Sequence, residues 1–188
     1  MPRPPILPTI DWKAIIASGV TYDKWLAGAE NPKHREQMQS RQDSIVLDPI
    51  TLGRLKAIKR RVNVVCIAED WCGDVVRHVP VLEALASACS KIKTRYITRE
   101  QHPDVFARFL TNGGEAIPKF VFITDNHVEV GNWGPMPNAY KPLIARGKSV
   151  GDVGPFRKRI SALYEADPNG DDTTADLLFL LEIAGIPV

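Results

Sequence analysis

Val62-Asn63-Val64-Val65-Cys66-Ile67-Ala68-Glu69-Asp70-Trp71-Cys72-Gly73-Asp74 decides the fold. Its first seven residues form a nearly continuous apolar run, rich in valine. That is the composition of a short strand buried on both faces. The period then changes. Val75, Val76, Val79, Leu82, Leu85, Ala86 and Cys89 recur at helical spacing, so residues 73–92 are expected to form an amphipathic helix. Cys72 therefore falls where a strand ends and a helix begins. Unpaired N–H groups and the helix dipole at such a terminus favour an anion. A thiol placed there shifts toward the reactive thiolate, whereas the carboxylates of Glu69, Asp70 and Asp74 beside it raise its pKa, so the sequence leaves that pKa open. Trp71 and Gly73 beside Cys72 suit a site that a partner chain approaches closely.

Downstream, residues 94–98 read as a second strand and 103–110 as a short helix ended by Asn112-Gly113-Gly114. Residues 119–124 read as a third strand. Asp125-Asn126 marks a turn, and residues 127–133 return as a fourth strand. Strand, helix, strand, helix, strand, strand is an α/β order, with parallel pairing first and a hairpin last. Helices are expected over 138–146, 153–165 and 173–186, separated by Gly147 and by Asp167-Pro168-Asn169-Gly170. The last is so apolar that it must pack on something. Upstream, residues 11–18, 22–29, 33–43 and 49–60 read as helices. Thr21 and Asp48 stand at N-cap positions, and Pro49 follows as a first helical residue. Four prolines within residues 1–8 predict an extended arm rather than an apolar leader helix. The whole chain, 1–188, is read as one domain: a helical extension over 1–60, an α/β core over 61–150 and terminal helices over 151–188.

The core resembles the thioredoxin superfamily. Trp71-Cys72-Gly73 matches the Trp-Cys-Gly of its active site, and Pro80 falls where its helix kinks. Ile117-Pro118 matches the cis-proline loop opposite the active cysteine. Trp133-Gly134 matches the third substrate-contacting loop. These features stand in the order and spacing of the family. A narrower resemblance is to bacterial thioredoxin-like proteins with a helical N-terminal extension. It rests on Asp70–Asp74, Leu110-Thr111-Asn112-Gly113-Gly114, Ile117-Pro118-Lys119 and Thr21-Tyr22-Asp23. The resemblance implies a thioredoxin-like fold, a mixed central sheet flanked by helices, with helical additions at both ends. It further implies catalysis by Cys72 and a substrate groove made by Trp71, Gly73, Ile117, Pro118, Trp133 and Gly134.

One departure bears on mechanism. Thioredoxins carry Cys-x-x-Cys, and here Val75 takes the second position. A dithiol enzyme releases its mixed disulfide with that second thiol, which valine cannot do. Cys89 lies seventeen residues along the helix, roughly 25 Å away and far beyond a disulfide's reach of about 7 Å. Cys66 falls six residues before Cys72, where the family keeps a buried acid, and is a candidate supporting thiol. Asp74 is a second candidate supporting residue, able to bond the first N–H groups of the helix. The expected function is a single-cysteine thiol–disulfide oxidoreductase. Its partners would be protein disulfides or glutathione–protein mixed disulfides, and an external thiol would resolve the adduct. The alternatives are a binding module that has lost redox activity and a glutathione-using transferase.

Composition narrows the rest. Twenty-four Lys+Arg against 22 Asp+Glu leaves a net charge of +2, with no whole-protein pull toward nucleic acid or membrane. Three cysteines cannot all pair, and their spacing matches no zinc pattern. His34, His78, His102 and His127 are scattered without ligand spacing, so no metal and no cofactor is expected. The basic stretch from Arg54 to Arg61 reads as a helix C-terminus with a wet face. No run of about 18 apolar residues is present. A cytoplasmic setting with free thiols is the expectation.

Overall fold

The computed structural model describes residues 7–187. Residues 1–6, most of the proline-rich arm, lie outside them. The chain opens with four helices: α1 (Trp12–Ser18), α2 (Tyr22–Ala27), α3 (Pro32–Ser44) and α4 (Pro49–Ala57). Side-chain caps start three of them. Asp11 accepts from Ala14 N–H, Asn31 from His34 N–H, and Asp48 from the N–H groups of Ile50 and Thr51. Thr21 is the N-cap of α2 by position but makes no side-chain cap bond.

The core follows as β1 (Val62–Ile67), α5 (Gly73–Ala88), β2 (Ile92–Ile97), α6 (Pro103–Phe106) with a tight turn over Ala107–Phe109, β3 (Lys119–Ile123) and β4 (Glu129–Trp133). The sheet order is β2-β1-β3-β4. β1 and β2 are parallel, whereas β3 runs antiparallel to both β1 and β4. All of β1 and β3 is buried, as their unbroken apolar runs require. The helix expected to reach residue 92 stops at Ala88, and Ile92 opens β2 instead.

The chain closes with α7 (Lys141–Ser149), α8 (Gly154–Ala166) and α9 (Asp171–Ala184). Gly147, expected as a break, lies inside α7. Its missing side chain is what lets α8 approach. A Cβ there would stand 2.9 Å from Val153 Cα and from the Phe156 ring. The apolar stripe of α9 buries Leu177, Leu178, Leu181 and Ala184. It packs on α5, α4, β3 and β4, and α3 packs on α5. The N-terminal helices share the core through Met38 and Leu55, both fully buried.

Candidate functional site

Cys72 is the N-cap residue of α5, with extended backbone and no side-chain cap bond. Its thiol is half-buried and donates to Ile117 O at 3.4 Å. The Ile117–Pro118 peptide is cis, as is Gly134–Pro135. The thiol thus faces the loop that the sequence placed opposite it. Its ionisation, which the sequence leaves open, shifts upward. Burial pushes the Cys72 thiol up, and the charges of Asp74 and Glu69 push the same way. The N–H groups of Val75 and Asp74 pull it back only in part.

Around the thiol, Trp71 is 58% exposed, with the Arg99 guanidinium 5.4 Å from its ring centre. Arg99 also grips Glu69 through Nε at 3.0 Å and Glu115 through Nη1 at 2.7 Å. Gly73 is exposed, and a Cβ built on it meets nothing within 4 Å. The N-terminal extension holds the loop from behind. Asn31 N–H donates to Asp70 Oδ2 at 2.8 Å, and His34 Nδ1 donates to Asp70 O at 2.6 Å. A His34→Ala variant is expected to lose about 1 kcal/mol of stability. It should also raise the alkylation rate of Cys72 while leaving that of buried Cys89 unchanged. An unaltered Cys72 rate would mean that the loop is held without His34.

The other expected site residues are placed as follows. Val75 is fully buried, so no second thiol position opens to solvent. Cys66 is fully buried, and its Sγ donates to Val64 O at 3.8 Å. Burial first, and the nearby Glu83 charge second, push that thiol well up. Cys89 caps the far end of α5 and donates to Leu55 O at 3.5 Å. All three cysteines are free. Asp74 makes no bond to the helix N–H groups. It accepts instead from the Tyr164 hydroxyl at 3.3 Å, and burial raises its carboxyl.

Trp133 departs most from its expected role. Its ring is fully buried, stacked on Phe120 at 5.3 Å and met edge-on by His78 at 5.1 Å. Its Nε1 donates to Asp176 at 2.9 Å. Such a ring supports the loop from inside and offers no surface to a partner. Pro118 is also buried. Gly134 is where the loops meet. Its φ is +121°, and a Cβ there would lie 2.0 Å from Pro118 O.

The sequence reading missed two supports. Lys119 follows the loop directly, is 3% exposed, and donates to Gly134 O at 2.9 Å and to the Thr111 hydroxyl. Burial lowers its amine to about 8. Its signal was a lysine opening an otherwise apolar strand. Tyr164, from α8, joins Asp74 to the buried His78, whose Nε2 lies 3.1 Å from the tyrosine hydroxyl. No spacing in the sequence links residues so far apart.

A sheet of this order, with a helix-capping cysteine facing a cis-proline loop, defines the thioredoxin fold. The family model described as Thioredoxin matches residues 19–148, and the chain belongs to that family. Among solved structures, a protein of unknown function from Pseudomonas aeruginosa superposes with a TM-score of 0.74 at 18% identity. The match covers 94% of this chain and 99% of that one. An HIV epitope-scaffold gives a TM-score of 0.73 at 15% identity, covering 93% and 99%. The fold is therefore shared with its helical additions. Fasciola hepatica thioredoxin is 28% identical over 49% of this chain and 86% of its own, with a TM-score of 0.33. A search of curated proteins finds no match.

Proposed function

We propose that the protein is a single-cysteine thiol–disulfide oxidoreductase that works through a long-lived mixed disulfide. The observation that carries this reading is Cys72 Sγ at the N-cap of α5, half-exposed and 3.4 Å from Ile117 O. In the forward step the Cys72 thiolate attacks one sulfur of a partner disulfide, R–S–S–R′. The partner's S–S bond breaks and Cys72–S–S–R forms. R′–S⁻ leaves with the electron pair and takes a proton from solvent. An external thiolate then attacks the R sulfur, carries R away as a new disulfide, and returns Cys72 to the thiol. The substrates would be protein disulfides or glutathione–protein mixed disulfides. We infer that the chain falls among the bacterial thioredoxin-like proteins with helical extensions, a reading supported by Asp70–Asp74 and Ile117-Pro118-Lys119.

The raised thiol pKa shapes the kinetics. A basic thiol is scarce as thiolate at neutral pH, so capture is slow. It is also a poor leaving group, so the adduct persists once formed. Val75 removes the internal route of release. The expected result is that glutathione disulfide labels Cys72, and that Cys72→Ser abolishes this label while Cys66→Ser and Cys89→Ser keep it. The labelling rate should rise about tenfold per pH unit and still be rising at about pH 9. Equal labelling of the three variants would overturn the reading. The same raised pKa also favours a second one, a thioredoxin-fold binding module without redox activity. It predicts no label at any pH below that of chemical unfolding.

A further inference from the structure

The thiol chemistry leaves unused a cleft that lies beside it. This cleft of about 530 Å³ runs between the start of α5, the loop before β3, and the helices α7 and α8. It reaches Asp74, two residues past Cys72, and Ala116, one residue before Ile117. Its volume lies within the range of small-molecule sites, about 300–1,000 Å³.

Its charges are unbalanced. Lys141, Lys148 and Arg157 all line it, and none has a carboxylate within ion-pair distance among the described residues. Among the described residues Lys141 Nζ donates to the Asn138 side chain, with the Asp176 carboxylate in electrostatic reach. Lys148 Nζ reaches over the Thr111–Gly114 turn, 3.8 Å from where a Gly114 Cβ would stand. Of the two acids in the wall, Glu115 is paired with Arg99, whereas Asp74, which takes the neutral Tyr164 hydroxyl, stays within electrostatic reach of Arg157 and offsets part of the positive charge. Buried Lys119 holds Thr111 from behind and adds a further positive charge. The lining also includes the apolar side chains of Pro135, Met136, Ile144 and Ile160. Cations lining a cleft together with apolar side chains recognise a molecule with an anionic end and a greasy body.

We propose that this cleft binds a small organic anion, its charged end on Lys141, Lys148 and Arg157 and its body on Met136, Ile144 and Ile160. This deepens the thiol reading by naming the substrate class of that site, disulfides of small anionic thiols delivered beside Cys72. Binding itself does not require a reactive thiol.

The test is calorimetric titration of the full-length Cys72→Ser protein. The probes are glutathione sulfonate, phenyl phosphate and inorganic phosphate. One of the two organic probes is expected to bind, the carboxylate-bearing or the phosphate-bearing one, and the stronger signal identifies the source. Adding Lys148→Gln and Arg157→Gln, both at exposed positions, should weaken that binding about tenfold or more at unchanged melting temperature. The proposal is overturned if neither organic probe binds at about 10 mM, if the added substitutions leave affinity intact, or if inorganic phosphate binds equally well. Anion binding alongside an unreactive Cys72 would leave the cleft standing and remove the oxidoreductase.

Discussion

Gly134→Ala is expected to lower the unfolding free energy by at least about 3 kcal/mol. Two effects add. The backbone there has φ +121°, which an L side chain rarely adopts, and the new Cβ would overlap Pro118 O at 2.0 Å. The obstacle is backbone, so no rotamer change relieves it. Either the Gly134 loop or the Ile117–Pro118 loop that faces Cys72 must move. The measurement is thermal unfolding with labelling of Cys72 on the same variant. A loss of about 6 °C or more is expected for a chain of this length, together with an altered Cys72 rate. A melting temperature within about 2 °C of the parent would contradict the packing described. Gly73 provides the control, since a Cβ there meets nothing within 4 Å.

Glu83→Gln is expected to stabilise the protein at pH 8 by about 2–3 kcal/mol. Glu83 is 6% exposed, beneath the Tyr96 hydroxyl that donates to it at 2.6 Å. Burial pushes its carboxyl up to about 7 from an ordinary 4.5. Between those values the folded protein keeps a proton that the unfolded chain has released. Stability therefore falls as pH rises through that window and stays lower above it. Glutamine keeps an acceptor for Tyr96 and carries no charge. Buried His78 works in the opposite sense, because burial lowers its pKa and stability falls as acid protonates the unfolded chain. The difference between variant and parent isolates Glu83. Unfolding measured from pH 5 to 8 should show the difference growing with pH. Parallel profiles would rule the assignment out.

The element order was legible because period and composition change sharply at residue 62, at Cys72 and at Lys119. The position of Cys72 followed from the same change, and Ile117 came to face it as the resemblance implied. What could not be read depends on three-dimensional register. Trp133 sits beside a loop glycine, which suggested a groove. Its pairing with Phe120 turns the ring inward, and pairing is invisible along a single chain. Asp74 was read by its local option, the helix N–H groups, but found Tyr164 ninety residues away. The thiol's pKa was undecidable for a related reason. Helix position argued downward, whereas burial, set by residues brought in from afar, won.

The bonds from Asn31 and His34 to Asp70 also bear on modularity. The sheet begins at Val62, yet the peptide that carries Trp71 and Cys72 is anchored by residues well before it. The N-terminal helices and the Trp71–Cys72 loop are therefore one mechanical unit. A chain cut just before β1 would lose these anchors of its Trp71–Cys72 loop, along with the buried Met38 and Leu55. A partner that grips α3 would pull directly on the strand-to-helix corner where the sulfur sits.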